Sequence, residues 1–204
     1  MSKIGIMGGS FNPIHFGHLM LAECAREEFR LDEVWFVPTG YSYMKQNDSE
    51  GKGPLAVERL EMTRLATEGN SYFQCLDIEV QRKGNTYTYE TLQELKSKYP
   101  ENNFYFIFGA DCLYGIEHWK EPEQIFNSCE IVAALRTDFV EEDMQTKINE
   151  LQEKYNARIH FLPFREIALS STDIRERVRK GKSIHYMVPE SVIFYIEEKG
   201  FYST

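Results

Sequence analysis

An α/β fold built on a doubly wound parallel sheet, in a single domain, is the class this sequence predicts. Three observations predict it. The chain has 204 residues, the size of one domain of roughly 100–200 residues. Short runs rich in β-branched and aromatic residues alternate with helical patterns along its length. Those runs are nearly continuous in apolar residues, as strands covered on both faces are. With right-handed crossovers the outcome is a Rossmann-like sheet with flanking helices, and in such sheets ligands bind outside the carboxyl ends of the strands. Residues just after strands are therefore the place to look for function.

Strands are expected at residues 3–7, 33–38, 73–80, 103–109, 130–135 and 158–162, often ending at Gly or Pro. Helices are expected between and after them. The first is 18–29, and the second is 55–67 with Pro54 at its start. Helix 88–99 carries Leu92, Leu95 and Tyr99 on one face, and helix 141–155 carries Met144, Ile148, Leu151 and Tyr155. Helices 172–180 and 189–199 follow. No internal repeat is visible. The segment QNDSEGKG at 46–53 has no apolar residue to anchor it and reads as a flexible loop.

Composition narrows the function classes. Hydrophobic residues make up 42% and charged residues 27%, which excludes low-complexity, collagen-like and disulfide-scaffold chains. The longest apolar runs fall far short of the roughly 20 residues a membrane span needs. The opening MSKIGIMGGS lacks the apolar core of a signal peptide, so a cytoplasmic protein without a membrane partner is expected. Lys and Arg number 23 against 32 Asp and Glu, a net charge of −9. General nucleic-acid binding runs on basic residues that neutralise phosphates, so no nucleic-acid partner is expected. Positive charge is local: residues 175–182 read RERVRKGK. By itself that run is a solvated helix face or an anion site. Cys24, Cys75, Cys112 and Cys129 form no CxxC pair and read as buried reduced thiols.

The first strand runs into Gly8-Gly9-Ser10, and His15 and His18 follow with Gly17 between them. A glycine pair lets backbone approach a ligand. Histidines three apart at a helix start lie on one face, where unpaired N–H groups and the macrodipole already favour anions. Taken alone, the pair is either a phosphate-binding device or two partly exposed histidines on an amphipathic helix. Zinc is weakened by the absence of a third ligand at suitable spacing. Near the other end stands Leu169-Ser170-Ser171-Thr172-Asp173-Ile174-Arg175. Ser171 suits an N-cap and Asp173 a first helical turn. Arg175 opposes the macrodipole and shares a face with Arg179. A bound anion would offset both costs; without one, this is a capped helix with a solvated arginine.

The segment GGSFNPIHFGH at 8–18 resembles the G-x-F-D-P-x-H-x-G-H signature of the nucleotidyltransferase superfamily, and SSTDIR at 170–175 resembles its I-S-S-T-x-I/V-R motif. Asn12 stands where Asp is usual and Leu169 replaces Ile. Similarity to bacterial nicotinate-nucleotide adenylyltransferases extends over nearly the whole chain. Glu58-Arg59-Leu60-Glu61-Met62 resembles their R-x-x-M helix, and the segment from Asn85 to Leu92 their S/T-Y-T-x-x-T-L. Phe108 to Leu113 resembles I-G-A-D-x-L, followed by Trp119, and the tail from Val188 to Tyr202 resembles V-P-x-x-V-x-x-Y-I-x-x-x-G-L-Y. Tyr41 to Lys45 departs from the usual P-P-H-K but keeps the lysine, and Lys120 stands where an aromatic is common.

The resemblance implies one domain over 1–204, with a helical part from about 170 carrying the second motif. It also implies adenylyl transfer from ATP to nicotinate mononucleotide, giving deamido-NAD and pyrophosphate by direct in-line attack. His15, His18, Lys45 and Arg175 would be catalytic. ATP would be held by Gly8, Gly9, Ser10, Phe11, Asp111, Ser171, Thr172 and Ile174, and nicotinate mononucleotide by Thr88, Trp119 and Arg136. Asp111 would accept from a ribose hydroxyl, though its place after a strand equally suits an N-cap. Trp119 would stack on the pyridinium or simply fill core. Mg²⁺ would travel on the ATP phosphates, held mainly by substrate oxygens and water. A homo-oligomer is compatible with the sequence. Preference for nicotinamide mononucleotide, a phosphopantetheine adenylyltransferase, and a nucleotide-binding module without activity are the alternatives.

Overall fold

The computed structural model describes residues 1–41, 53–135, 141–164 and 168–203. Six strands are present: β1 (Lys3–Gly9), β2 (Glu33–Pro38), β3 (Phe73–Cys75), β4 (Asn103–Gly109), β5 (Glu130–Ala134) and β6 (Ile159–Leu162). Their order is β3-β2-β1-β4-β5-β6, that of the doubly wound dinucleotide-binding fold. Parallel ladders join β1 to β4, β4 to β5 and β5 to β6. The order reverses between β1 and β4.

Among the described residues there are eight α-helices: α1 (Phe16–Phe29), α2 (Ala56–Thr67), α3 (Thr88–Lys98), α4 (Ala110–Gly115), α5 (Pro122–Ser128), α6 (Glu141–Tyr155), α7 (Ser171–Arg179) and α8 (Glu190–Lys199). A 3-10 turn covers Ile116–His118. Most elements lie within a residue or two of the sequence expectation. The exception among strands is β3, which stops at Cys75 instead of running to 80. Asp77 and Glu79 accept backbone hydrogen bonds from Gln81 and Arg82, which turns the chain there. Helices α4 and α5 were not foreseen, because six or seven residues are too few to display a helical period. The predicted loop at 46–53 lies outside the described residues except for Gly53.

The backbone gathers into two compact units. One comprises Met1–Gly8, Leu21–Trp35 and Tyr87–Glu166, the other Gly9–Met20, Phe36–Thr86 and Ile167–Thr204. In the first, Ile4, Ile6, Phe106, Ile107, Ile131 and Leu113 are buried. In the second, Phe11, Ile14, Phe36, Met62, Ile174 and Val192 are buried. Full burial of such side chains contributes about 1.5–3 kcal/mol each. Of the four thiols, only Cys129 is fully buried, the other three being half-buried. Burial pushes the Cys75 and Cys129 thiols up to about 12, so both are protonated at neutral pH.

Candidate functional site

The second unit holds the loop after β1 and the start of α7 together. Arg175 donates from Nη1 to the backbone oxygen of Asn12 (2.9 Å) and from Nη2 to Thr172 Oγ1 (3.2 Å). Ser171 Oγ donates to the Pro13 oxygen at 2.8 Å. These two bonds close separations of 163 and 158 residues. The arginine that looked misplaced in a first helical turn is therefore spent on a carbonyl two residues before Ile14 and three before His15. The N-cap of α7 is Ser170, not Ser171: Ser170 Oγ accepts from the Asp173 amide at 3.1 Å. Its partner serine is free to tie the loop instead. Ile174 is fully buried and its amide donates to the Ser170 oxygen, so its place in the structure is the one that pins α7 to the core.

His15 and His18 are brought into direct contact. Their rings stack, with centroids 3.7 Å apart and planes inclined by 24°. The His15 amide donates to His18 Nδ1 at 3.3 Å. That acceptor role puts the proton of a neutral His18 on Nε2. Phe11, itself buried with φ +43°, presents its ring edge-on to His18 at 5.1 Å. His15 is only 5% exposed. Desolvation lowers it to about 4, so it is neutral at physiological pH. Its Nδ1 is buried without a hydrogen-bond partner. Such an atom costs roughly 1–3 kcal/mol unless a ligand or water meets it.

Gly17 is explained by this stack. A Cβ there would lie 3.0 Å from His15 Nδ1 and 3.1 Å from Cε1. The glycine makes room for the imidazole itself, where the sequence suggested room for a ligand. The first turn of α1 is also held from afar, by the Phe16 amide donating to the Met187 oxygen at 2.9 Å.

Two residues absent from the sequence-based set belong to this arrangement. Arg59, buried in α2, donates from Nη1 to the Ser10 oxygen (2.5 Å) and from Nη2 to the oxygens of Thr39 (2.6 Å) and Gly40 (3.0 Å). It thus fixes the chain just beyond the ends of β1 and β2. A Cβ on Gly40 would fall 2.2 Å from the Glu79 oxygen, so that approach requires glycine. Tyr202 donates to Asn12 Oδ1 at 2.5 Å. Arg59 stood in a recognised motif; the only signal for Tyr202 was its place in the tail motif.

The remaining predicted residues are distributed as follows. Gly8 is exposed at the end of β1, in the first unit. Gly9 and Ser10 open the second unit, their oxygens taken by the Thr39 amide and by Arg59. Asp111 is exposed in the first turn of α4, whose N-cap is Gly109, so it is not the cap. Thr88 is the first residue of α3. Trp119 is half-buried, with Phe106 and Phe108 each 6.2 Å from its ring. Beside it in sequence, Lys120 places its ammonium 4.3 Å over the Tyr87 ring. Lys45 and Arg136 lie outside the described residues. Among the described residues no group of three or more His, Cys, Asp or Glu is disposed to hold a metal, and no helix is long and apolar enough to cross a membrane.

Chemically, the loop after β1 and the head of α7 combine two imidazoles, a guanidinium, hydroxyls and two helix N-termini. These are donors, suited to a polyanion such as a phosphate chain. Comparison with known proteins gives the family. Residues 6–177 match the cytidylyltransferase-like family model. A "Probable nicotinate-nucleotide adenylyltransferase" of Lachnoclostridium phytofermentans is 46% identical, covering 99% of this chain and 100% of the relative. A protein of the same name from Desulfitobacterium hafniense is 40% identical over 98% of this chain and 95% of its own. Among solved structures, Plasmodium falciparum nicotinic acid mononucleotide adenylyltransferase complexed with APC superposes with a TM-score of 0.78 at 22% identity, covering 99% of this chain and 98% of that one. At that identity the likeness speaks to the fold, which it matches end to end.

Proposed function

Because the chain belongs to the nicotinate-nucleotide adenylyltransferases, within the cytidylyltransferase-like family, we propose that it joins nicotinate mononucleotide to the AMP part of ATP, giving deamido-NAD and pyrophosphate, in the cytoplasm. The observation that carries this reading is the convergence of the two distant motifs on one turn. Arg175 and Ser171 hold the oxygens of Asn12 and Pro13, and His15 stands two residues further along the same loop.

The reaction needs no protein nucleophile. An oxygen of the mononucleotide 5′-phosphate forms a bond to the α-phosphorus of ATP in line with the departing oxygen; the bond to the β-phosphate breaks, and pyrophosphate leaves with its electron pair. Catalysis is positioning together with stabilisation of charge. His18, its proton directed to Nε2, donates to a phosphate oxygen. His15, kept neutral by burial, adds a second imidazole without the repulsion of two adjacent cations. Arg175 supplies fixed positive charge, and the amides of Gly9, Ser10 and Phe11 line the phosphate path. Fixed donors of this kind contribute about 3–4 kcal/mol each at most, and orientation of the reactants about 7–11 kcal/mol. Lys45 and Arg136 add phosphate contacts. Asp111 accepts from a ribose hydroxyl, and Thr88 and Trp119 receive the pyridinium ring.

Nucleotidyltransferases of this family act on ATP with a divalent metal, and we assign Mg²⁺ to it as part of the nucleotide substrate. The donors around His15, His18 and Arg175 fit phosphate and not a bare dication, so the metal would be held mainly by phosphate oxygens and water.

Pyrophosphate release tests the reading. Purified protein with ATP and Mg²⁺ should release it with nicotinate mononucleotide. Release only with phosphopantetheine, or with none of nicotinate mononucleotide, nicotinamide mononucleotide and phosphopantetheine, overturns the proposal.

A further inference from the structure

The end of the described chain returns to the first loop in a way the two motifs do not require. Helix α8 closes at Gly200, in the left-handed region with φ +64°, and Tyr202 is itself left-handed with φ +63°. That conformation is uncommon for a bulky L-residue and persists only where surroundings over-determine it. Here they do: the Tyr202 side chain is buried, and its hydroxyl meets Asn12 across 190 residues of sequence. The phenol donates and the amide oxygen of Asn12 accepts. Burial pushes the Tyr202 phenol well above its ordinary range, although Arg175 and Arg59 oppose this.

Asn12 is thus gripped at both ends. Its side-chain oxygen belongs to Tyr202 and its backbone oxygen to Arg175. With the oxygen turned to the phenol, the amide nitrogen becomes a donor group in the loop. Resting on the adenylyl-transfer reading, we propose that Tyr202 is a positioning residue of the ATP site: its hydroxyl sets the orientation of the Asn12 amide and holds the turn whose carbonyl seats Arg175.

Tyr202→Phe removes the hydroxyl and keeps the ring. Its KM for ATP should rise about three- to tenfold, the loss expected for one neutral hydrogen bond. Its KM for nicotinate mononucleotide should stay within about twofold. Titration with a non-hydrolysable ATP analogue should show the same weakening, and this readout does not depend on which second substrate the enzyme takes. In the Asn12→Ala background, adding Tyr202→Phe should cost less than about twofold more, because the hydroxyl then has no acceptor. Asn12→Ala alone carries the test should Tyr202→Phe fail to fold: it too should weaken ATP selectively. Unchanged analogue affinity in Tyr202→Phe, equal shifts for both substrates, or losses that multiply in the double variant would each overturn the proposal. Wild-type protein that binds the analogue but releases no pyrophosphate would refute the proposed reaction and leave this affinity comparison still decisive.

Discussion

The loop after β1 and the shelf around Trp119 solve different problems with different forces. In the loop, the oxygens of Ser10, Asn12 and Pro13 are each taken by a side chain at least 49 residues away. The two imidazoles are then stacked and linked through a backbone amide. Around Trp119 the contacts are ring against ring, with Phe106 and Phe108 beside the indole and Lys120 over Tyr87. Directional hydrogen bonds fix donors in advance, which a developing phosphoryl charge rewards. An aromatic shelf offers a flat apolar face, which suffices to seat a cationic ring. Under the proposed function the loop serves ATP binding and transition-state charge, and the shelf serves affinity for the ring.

Three measurements can break that division. The largest effect is expected at His18. His18→Ala should lower kcat at least about a hundredfold, the loss of one transition-state donor. A change confined to KM would move the loop from chemistry to binding. The next concerns His15. Its folded value of about 4 lies below the 6.5 of an exposed imidazole, so between those two pH values the unfolded chain binds more protons than the folded one. Stability is therefore greatest from this group above about 6.5, falls as pH drops toward 4, and levels off below that. The shift corresponds to at most on the order of 3 kcal/mol. Urea unfolding at pH 7, 5.5 and 4.5 should show this slope in the wild type and a flatter one in His15→Gln. Equal slopes would mean that His15 is not held neutral by burial. The smallest effect is expected on the shelf. Trp119→Ala should raise KM for nicotinate mononucleotide about tenfold, the size of a cation–π contact together with lost burial. KM for ATP should not follow; if it does, the separation of tasks fails.

The two regions also differ in how they could be read from the chain. Gly17 between two histidines marked the loop, and the periodicity of 88–99 and 141–155 marked helices that bury Leu92 and Leu95, and Met144, Ile148 and Leu151, while Tyr99, expected on the same face, is exposed. The capping serine was misassigned by one position. Ser170 and Ser171 have equal intrinsic capping ability, and only the Pro13 carbonyl decides which hydroxyl is needed elsewhere. Arg59 gave no sign in the residue pattern that it would hold three carbonyls, since a charged residue near a helix start ordinarily faces solvent.

The order of apolar runs and helical periods determined the fold class of this protein, because strand burial and helix amphipathicity are written at spacings of two and 3.6 residues. Its two phosphate-type motifs were likewise local, each contained in about ten residues. Tertiary structure alone decided that Arg175 and Ser171 serve the first loop, that His15 is neutral, and that Tyr202 reaches Asn12. Each of these depends on desolvation or on hydrogen bonds between residues more than a hundred apart, or on the depth at which a side chain is buried, and no window of sequence contains such distances.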